Sequence, residues 1–215
     1  MKNSIKQLVC VVLVAAICMP ASFAADFTTV RVDNVDEYGA ISKRLRYADD
    51  KTPIPLSGFS WDGSVFATIP AENANRPVEV FSTADYQPPS DDESDWYGML
   101  DLAACGVLTG DSDGKFHPER TVTRAEAAAM LVRTLGVAQA DGTQSGYADV
   151  PATAWYAPVV QTARECGIIS PDTQFRPEAL VTREEFAVMT ARAMSYAGLL
   201  DMEKAAPTAL KLEDA

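Results

Sequence analysis

Hydrophobic positions along this chain fall into three regimes. Residues 8–18 (LVCVVLVAAIC) are continuously apolar. Between residues 26 and 86 the apolar positions come in short β-branched runs bounded by Pro, Gly, Asn or Asp. These predict strands over Phe27–Val32, Ser64–Ile69 and Pro77–Phe81. Beyond about residue 92 the period changes to that of a helix. Met99, Leu102 and Ala103 share one face before Gly106, and Trp155, Val159, Val160 and Ala163 share one before Gly167, each glycine a stop signal. A turn follows each of these helices, Gly110–Gly114 in the first case and Ser170–Asp172 in the second. A second helix then follows, with Met130, Leu131 and Leu135, or Met189 and Met194, at core spacing.

The second helices begin alike. Thr123-Arg124-Ala125-Glu126 and Thr182-Arg183-Glu184-Glu185 fit a capping box, threonine at N-cap and glutamate at N3. Val122 with Ala127, and Val181 with Phe186, fit the accompanying hydrophobic staple. Thr123, Glu126, Thr182 and Glu185 therefore have a structural role in satisfying helix-end amides. Arg124 and Arg183 run against the pattern, because the first helical position sits in the positive end of the helix dipole. A guanidinium beside free amides makes an anion site with a fork suited to a carboxylate. The alternative is an ion pair to an acid of the neighbouring repeat.

Residues 106–136 and 167–194 align through Phe116 and Phe175, Pro118 and Pro177, Val122 and Val181, and Met130 and Met189, a period of 59. The upstream steps Cys105-Gly106 and Cys166-Gly167 are offset by 61, a difference that a loop absorbs. Phe-x-Pro followed by Val-Thr-Arg-x-Glu, preceded by a Trp-Tyr helix ending in Gly-Ile, resembles the S-layer homology motif. Tyr147-Ala148-Asp149-Val150 resembles that family's aromatic-x-Asp-Val opening. The resemblance implies a mainly α, non-catalytic protein of tandem helix-loop-helix repeats that binds an acidic, for example pyruvylated, secondary cell-wall polymer or peptidoglycan. It implies polymer contacts from Arg124 and Arg183, with Trp155, Tyr156, Trp96 and Gly114 as further candidates. On an amphipathic helix Trp155 and Tyr156 serve equally well as core. The family usually packs three repeats, so two imply self-association to complete the unit, or a single sufficient groove.

The resulting organisation is a signal peptide over residues 1–24, a β-rich module over 25–86 and an acidic proline-containing linker over 87–95. The repeats follow over 92–137 and 147–198, with an acidic tail over 199–215. The leader has basic Lys2 and Lys6, an apolar stretch too short to span a bilayer, and small residues Ser22 and Ala24 before the cleavage point. Ile17 before Cys18 argues against lipidation. Secretion to the bacterial cell surface is the expectation, with no transmembrane segment after cleavage.

Composition narrows the chemistry. The net charge of −12 falls further once Lys2 and Lys6 leave, which argues against nucleic acid as a partner. With His117 the only histidine and no CxxC, a structural zinc site is excluded, and no cofactor motif occurs. A calcium loop with Gly114 at position six would place Thr109 first and Arg120 twelfth, where acids are needed. Cys105 and Cys166 read better as buried thiols than as a disulfide, although such a link would contribute roughly 4 kcal/mol. No nucleophile elbow, metal-binding histidine set or phosphate loop is present. The expected function is wall anchoring, the alternative an envelope adaptor whose helices dock another surface protein.

Overall fold

The computed structural model describes residues 26–33, 35, 42–60, 63–86, 97–111, 115–117 and 120–201. The expected leader, the linker with Trp96, Gly114, Pro118 and the tail beyond Asp201 lie outside the described residues.

Among the described residues five strands come first: β1 (Phe27–Val32), β2 (Lys43–Tyr47), β3 (Ser57–Ser60), β4 (Ser64–Pro70) and β5 (Val78–Ser82). They form a three-stranded sheet in the order β1-β4-β3 and a two-stranded sheet β2-β5. All pairs are antiparallel, with Thr29 opposite Thr68, Phe59 opposite Val65 and Leu45 opposite Val80. The alternation of the strands sends Leu45, Tyr47, Val65, Ala67 and Ile69 into one small core. The sequence pattern predicts β1, β4 and β5 but not β2 or β3. In β2, KRLRY, only every second position is apolar, and the outward arginines pair across the fold. Arg44 meets Asp101 at 2.5 Å and Arg46 meets Glu79 at 2.7 Å. These strands overturn the expected mainly α class: helix, short 3-10 turns included, makes up 32% and strand 20% of the described residues, in two sheets. Charged strands mask their own period, and much of each repeat is loop.

Four α-helices follow among the described residues: α1 (Tyr97–Ala104), α2 (Arg124–Leu135), α3 (Ala157–Glu165) and α4 (Arg183–Tyr196). The expected glycine stop is present. Gly167 takes φ +69, and the Ile168 amide reaches back to the Ala163 carbonyl at 2.8 Å; Gly106 and Val107 repeat this on α1. Trp155 lies outside α3, just before it, and Leu102 faces solvent, so neither helps bury the first-helix face. Ala125, Ala127, Ala128 and Ala129 are all buried on α2, small side chains that let α3 and α4 approach closely. One core runs through both repeats, with Phe175 as its largest fully buried side chain.

The β half docks beneath the C-terminal ends of the long helices. Phe27 meets Tyr196 edge-on at 5.8 Å, and Ile54, Pro55 and Leu56 close a cavity of about 50 Å³ against Thr134, Leu135 and Gly136. At α1, Asp101 accepts both Arg44 and the Thr83 hydroxyl. A 14-residue helix is about 21 Å long, so the N-terminal ends stand well clear of the sheets. Cys105 and Cys166 are buried free thiols, and burial pushes Cys105 up to about 11. Because Asp101 ties two segments of the β half to α1, Asp101→Ala is expected to lower the unfolding free energy by about 1–3 kcal/mol in urea denaturation.

Candidate functional site

The N-termini of α2 and α4 lie side by side, each with its capping box complete. Thr123 and Thr182 accept the amides of Glu126 and Glu185, whose carboxylates accept the threonine amides at 2.7 and 3.0 Å. The repeats then join backbone to backbone. Val181 donates to the Val122 carbonyl at 3.0 Å and Thr123 bridges to Leu180. The two leading amides of α2 are consumed by the other repeat's loop: Arg124 donates to Ala179 at 2.9 Å and Ala125 to Pro177 at 3.0 Å. At this helix start a polypeptide loop takes the place that an anion would occupy.

The Arg124 side chain completes the junction. Nε donates to the Phe175 carbonyl at 2.8 Å and Nη1 to Glu185 Oε1 at 2.5 Å, with the guanidinium 5.1 Å from the Phe175 ring centroid. Its side chain is only 15% exposed, against 35% for Glu185. Of the two readings open for this arginine, the geometry favours the ion pair. Glu185 serves both sides, one oxygen on its own helix cap and the other on the neighbouring repeat's arginine. Arg183 has the same sequence context and the opposite surroundings. It is exposed, with no hydrogen bond or ion pair among the described residues, and its amide and that of Glu184 have no partner there either.

The loop that receives Arg124 is itself held rigidly. Asp149 accepts the amides of Phe175 at 2.8 Å and Arg176 at 2.7 Å, fixing Arg176 at φ +58, a left-handed conformation unusual for a side-chain-bearing residue. His117, the middle residue of the other Phe-x-Pro, is also left-handed at φ +47. In the second repeat Phe-x-Pro is thus a buried ring, a reversal of the chain and a proline that hands a carbonyl to the neighbouring helix. Burial acts to raise the Asp149 pKa, but the amides of Phe175 and Arg176, its own amide and the Arg176 charge together hold the carboxyl below its usual range. Glu126 follows the same logic: burial acts to raise it, and hydrogen bonds from Arg120 and Thr123 bring it lower.

Trp155 and Tyr156 part company. Trp155 is 57% exposed, edge-on to Tyr156 at 5.5 Å, while Tyr156 is buried at the start of α3. The structure thus gathers Arg124, Thr123, Thr182, Glu126 and Glu185 at the junction, and leaves Arg183 and Trp155 at the surface of the second repeat. A cavity of about 370 Å³ lies at the other end of α4, lined by Phe27, Thr28, Tyr196 and Leu199 and by none of these side chains. Two further arginines went unread in the sequence. Arg133 and Arg192 donate to the Val107 and Ile168 carbonyls at 3.2 and 3.4 Å, tying each second helix to the end of its first. Their spacing of 59, the repeat period, was the available signal.

The sequence that builds this geometry matches a known kind of repeat. The chain carries two tandem S-layer homology domains, matched over residues 90–128 and 146–187. Its relatives include cell surface glycoprotein 1 of Acetivibrio thermocellus, 34% identical over 119 residues, or 54% of this chain and 5% of that protein. The surface layer protein of Brevibacillus choshinensis is 36% identical over 100 residues, 44% of this chain and 9% of its own length. An amylopullulanase of Thermoanaerobacterium thermosulfurigenes is 39% identical over 94 residues, 43% and 5% respectively. The chain therefore spans a small fraction of the length of these relatives. No solved structure matches it.

Arg124→Ala strands Glu185 and removes the Phe175 tie, and should lower the unfolding free energy by about 2–4 kcal/mol; Arg183→Ala should leave the urea midpoint unchanged. The acid limb follows from Asp149. A depressed folded pKa gives stability that is present above the unfolded value and lost as pH falls through the folded one. Stability should therefore drop on acidification through the carboxylate range. In Asp149→Asn it should start lower at neutral pH and fall less, as read by urea titrations at successive pH values.

Proposed function

We propose that this chain anchors its bearer to an acidic polymer of the bacterial cell wall, and that Arg183, on the open face of the second repeat, is its principal contact. The observation that carries this reading is the contrast between two equivalent arginines. Arg124 is neutralised by Glu185 and covered by the Phe175 loop, whereas Arg183 has no carboxylate among the described residues. A guanidinium beside two helix-start amides without partners among the described residues is suited to a carboxylate or phosphate substituent. The tandem S-layer homology domains and the relatives named for surface layers and cell walls support the same reading. The Phe-x-Pro loop and Arg124 then build the face without touching the polymer, and Trp155, exposed on the same repeat, offers a ring for a sugar to stack on. The relatives named as an amylopullulanase and a xylanase match over small parts of their length, and their activities are theirs.

The adaptor reading has one observation in its favour. Leu180 and Trp155 are both 57% exposed, more apolar surface than a polar polymer requires. Purified wall sacculi separate the two. Binding should be lost when the acidic polymer is chemically stripped from the wall, and an adaptor would be indifferent to that. Arg183→Ala should weaken binding by at least tenfold, about 1.4 kcal/mol, with its helical circular dichroism unchanged. Arg183→Lys should recover only part of it, since an ammonium lacks the fork. Undiminished binding by Arg183→Ala would overturn the assignment.

A further inference from the structure

The junction between the repeats has two outer counterparts, one at each edge of the pair, and the chain alters both. On the inner face of α2 the second helical residue is Ala125, 1% exposed, with its amide on Pro177. The equivalent residue of α4 is Glu184, which stands in solvent beside Arg183. A further repeat docking there as the second docks on the first would have to bury that carboxylate where the existing junction holds a methyl group.

The opposite edge is altered in a complementary way. Glu185 takes its guanidinium from Arg124 of the other repeat, whereas Glu126 takes one from its own repeat, Arg120 Nη2 donating to Glu126 Oε1 at 2.6 Å. Aligned on Val122 and Val181, Arg120 falls where the second repeat has Ala179. Arg120 also reaches Asp111 at 3.2 Å, so the first repeat neutralises this edge by itself. Without these two residues the edges would be a matched pair. Arg183 and the two free amides of α4 would meet Phe116 and Glu126 of the next copy, in the arrangement that now joins Arg124 to Phe175 and Glu185. Such a head-to-tail contact is heterologous, and it joins further copies into a ring or a chain according to the rotation between them. The β half meets the long helices at their other end.

We infer that Arg120 and Glu184 block the two outer edges against docking of a second copy, so that the chain is a self-contained two-repeat unit. This inference stands apart from polymer binding, since it concerns only contacts between copies. Complementation tests it. Arg120→Ala opens the first-repeat edge and leaves the second blocked; Glu184→Ala does the reverse. Wild type and each single variant should sediment as monomers, and an equimolar mixture of the two variants should form a complex of about twice the monomer mass that is lost when Arg183→Ala is added to the Glu184→Ala chain. Both substituted side chains are at the surface, and circular dichroism of each single variant establishes that it is folded. A mixture that stays monomeric overturns the inference, as does association of wild type or of either variant alone.

Discussion

Two helices that point the same way and start side by side bring two positive dipole ends together, and this repulsion has to be offset before anything else in the repeat pair can form. The chain offsets it with a carboxylate at the third position of each helix and with carbonyls from the intervening loop. Glu185 is the pivot, because one of its oxygens closes its own cap and the other holds Arg124. The loop carbonyls of Phe175, Pro177 and Ala179 do the rest, accepting the Arg124 side chain and the first two amides of α2. An arginine at a helix start, unfavourable on its own helix, becomes favourable once the neighbouring repeat lends it an acid and a carbonyl.

The same chemistry explains why one motif has two fates. Arg124 and Arg183 sit in nearly identical local sequence, and what separates them is whether another repeat lies over them. Sequence identity within a repeat array thus fixes the local cap, while position in the array decides whether the arginine is a latch or a surface cation. Asp149 belongs to the same unit of design. By fixing Arg176 in a left-handed turn it aims the Phe175 carbonyl at Arg124, so an acid in the preceding loop sets the geometry of the junction.

What could be read from the sequence follows how local each cause is. Caps, staples and the glycine stops are decided within a few residues, and the expected Thr-x-x-Glu boxes and the Gly167 stop are present. Strands β1, β4 and β5 carry β-branched residues and were legible for the same reason. Strand β2 was not, because its arginines contribute aliphatic stems to the packing while their charges mask the alternation. The error in fold class came from this, since counting helices in the repeats undervalued a β half that supplies two sheets. The different exposure of Arg124 and Arg183 was beyond local reading, because it depends on contacts 61 residues apart in sequence. The pairing of Arg133 and Arg192 with the preceding turn was recoverable, since both lie within the aligned segments at the repeat period.

The edges of the pair can be understood in the same physical terms as its centre. A repeat stabilised by lending groups to its neighbour leaves groups unsatisfied at either end of an array, and terminal repeats need their own substitutes. Arg120 is such a substitute on one side, reaching Glu126 from within the same repeat. On the other side Arg183 has none among the described residues, and Glu184 beside it makes the edge polar without forming an ion pair there. A side chain that served only to cap the array would be expected to neutralise Arg183, as Arg120 neutralises Glu126. Under the proposed reading, a guanidinium and two amides without partners among the described residues, set in surroundings hostile to another repeat, suit a small acidic group better than a protein surface.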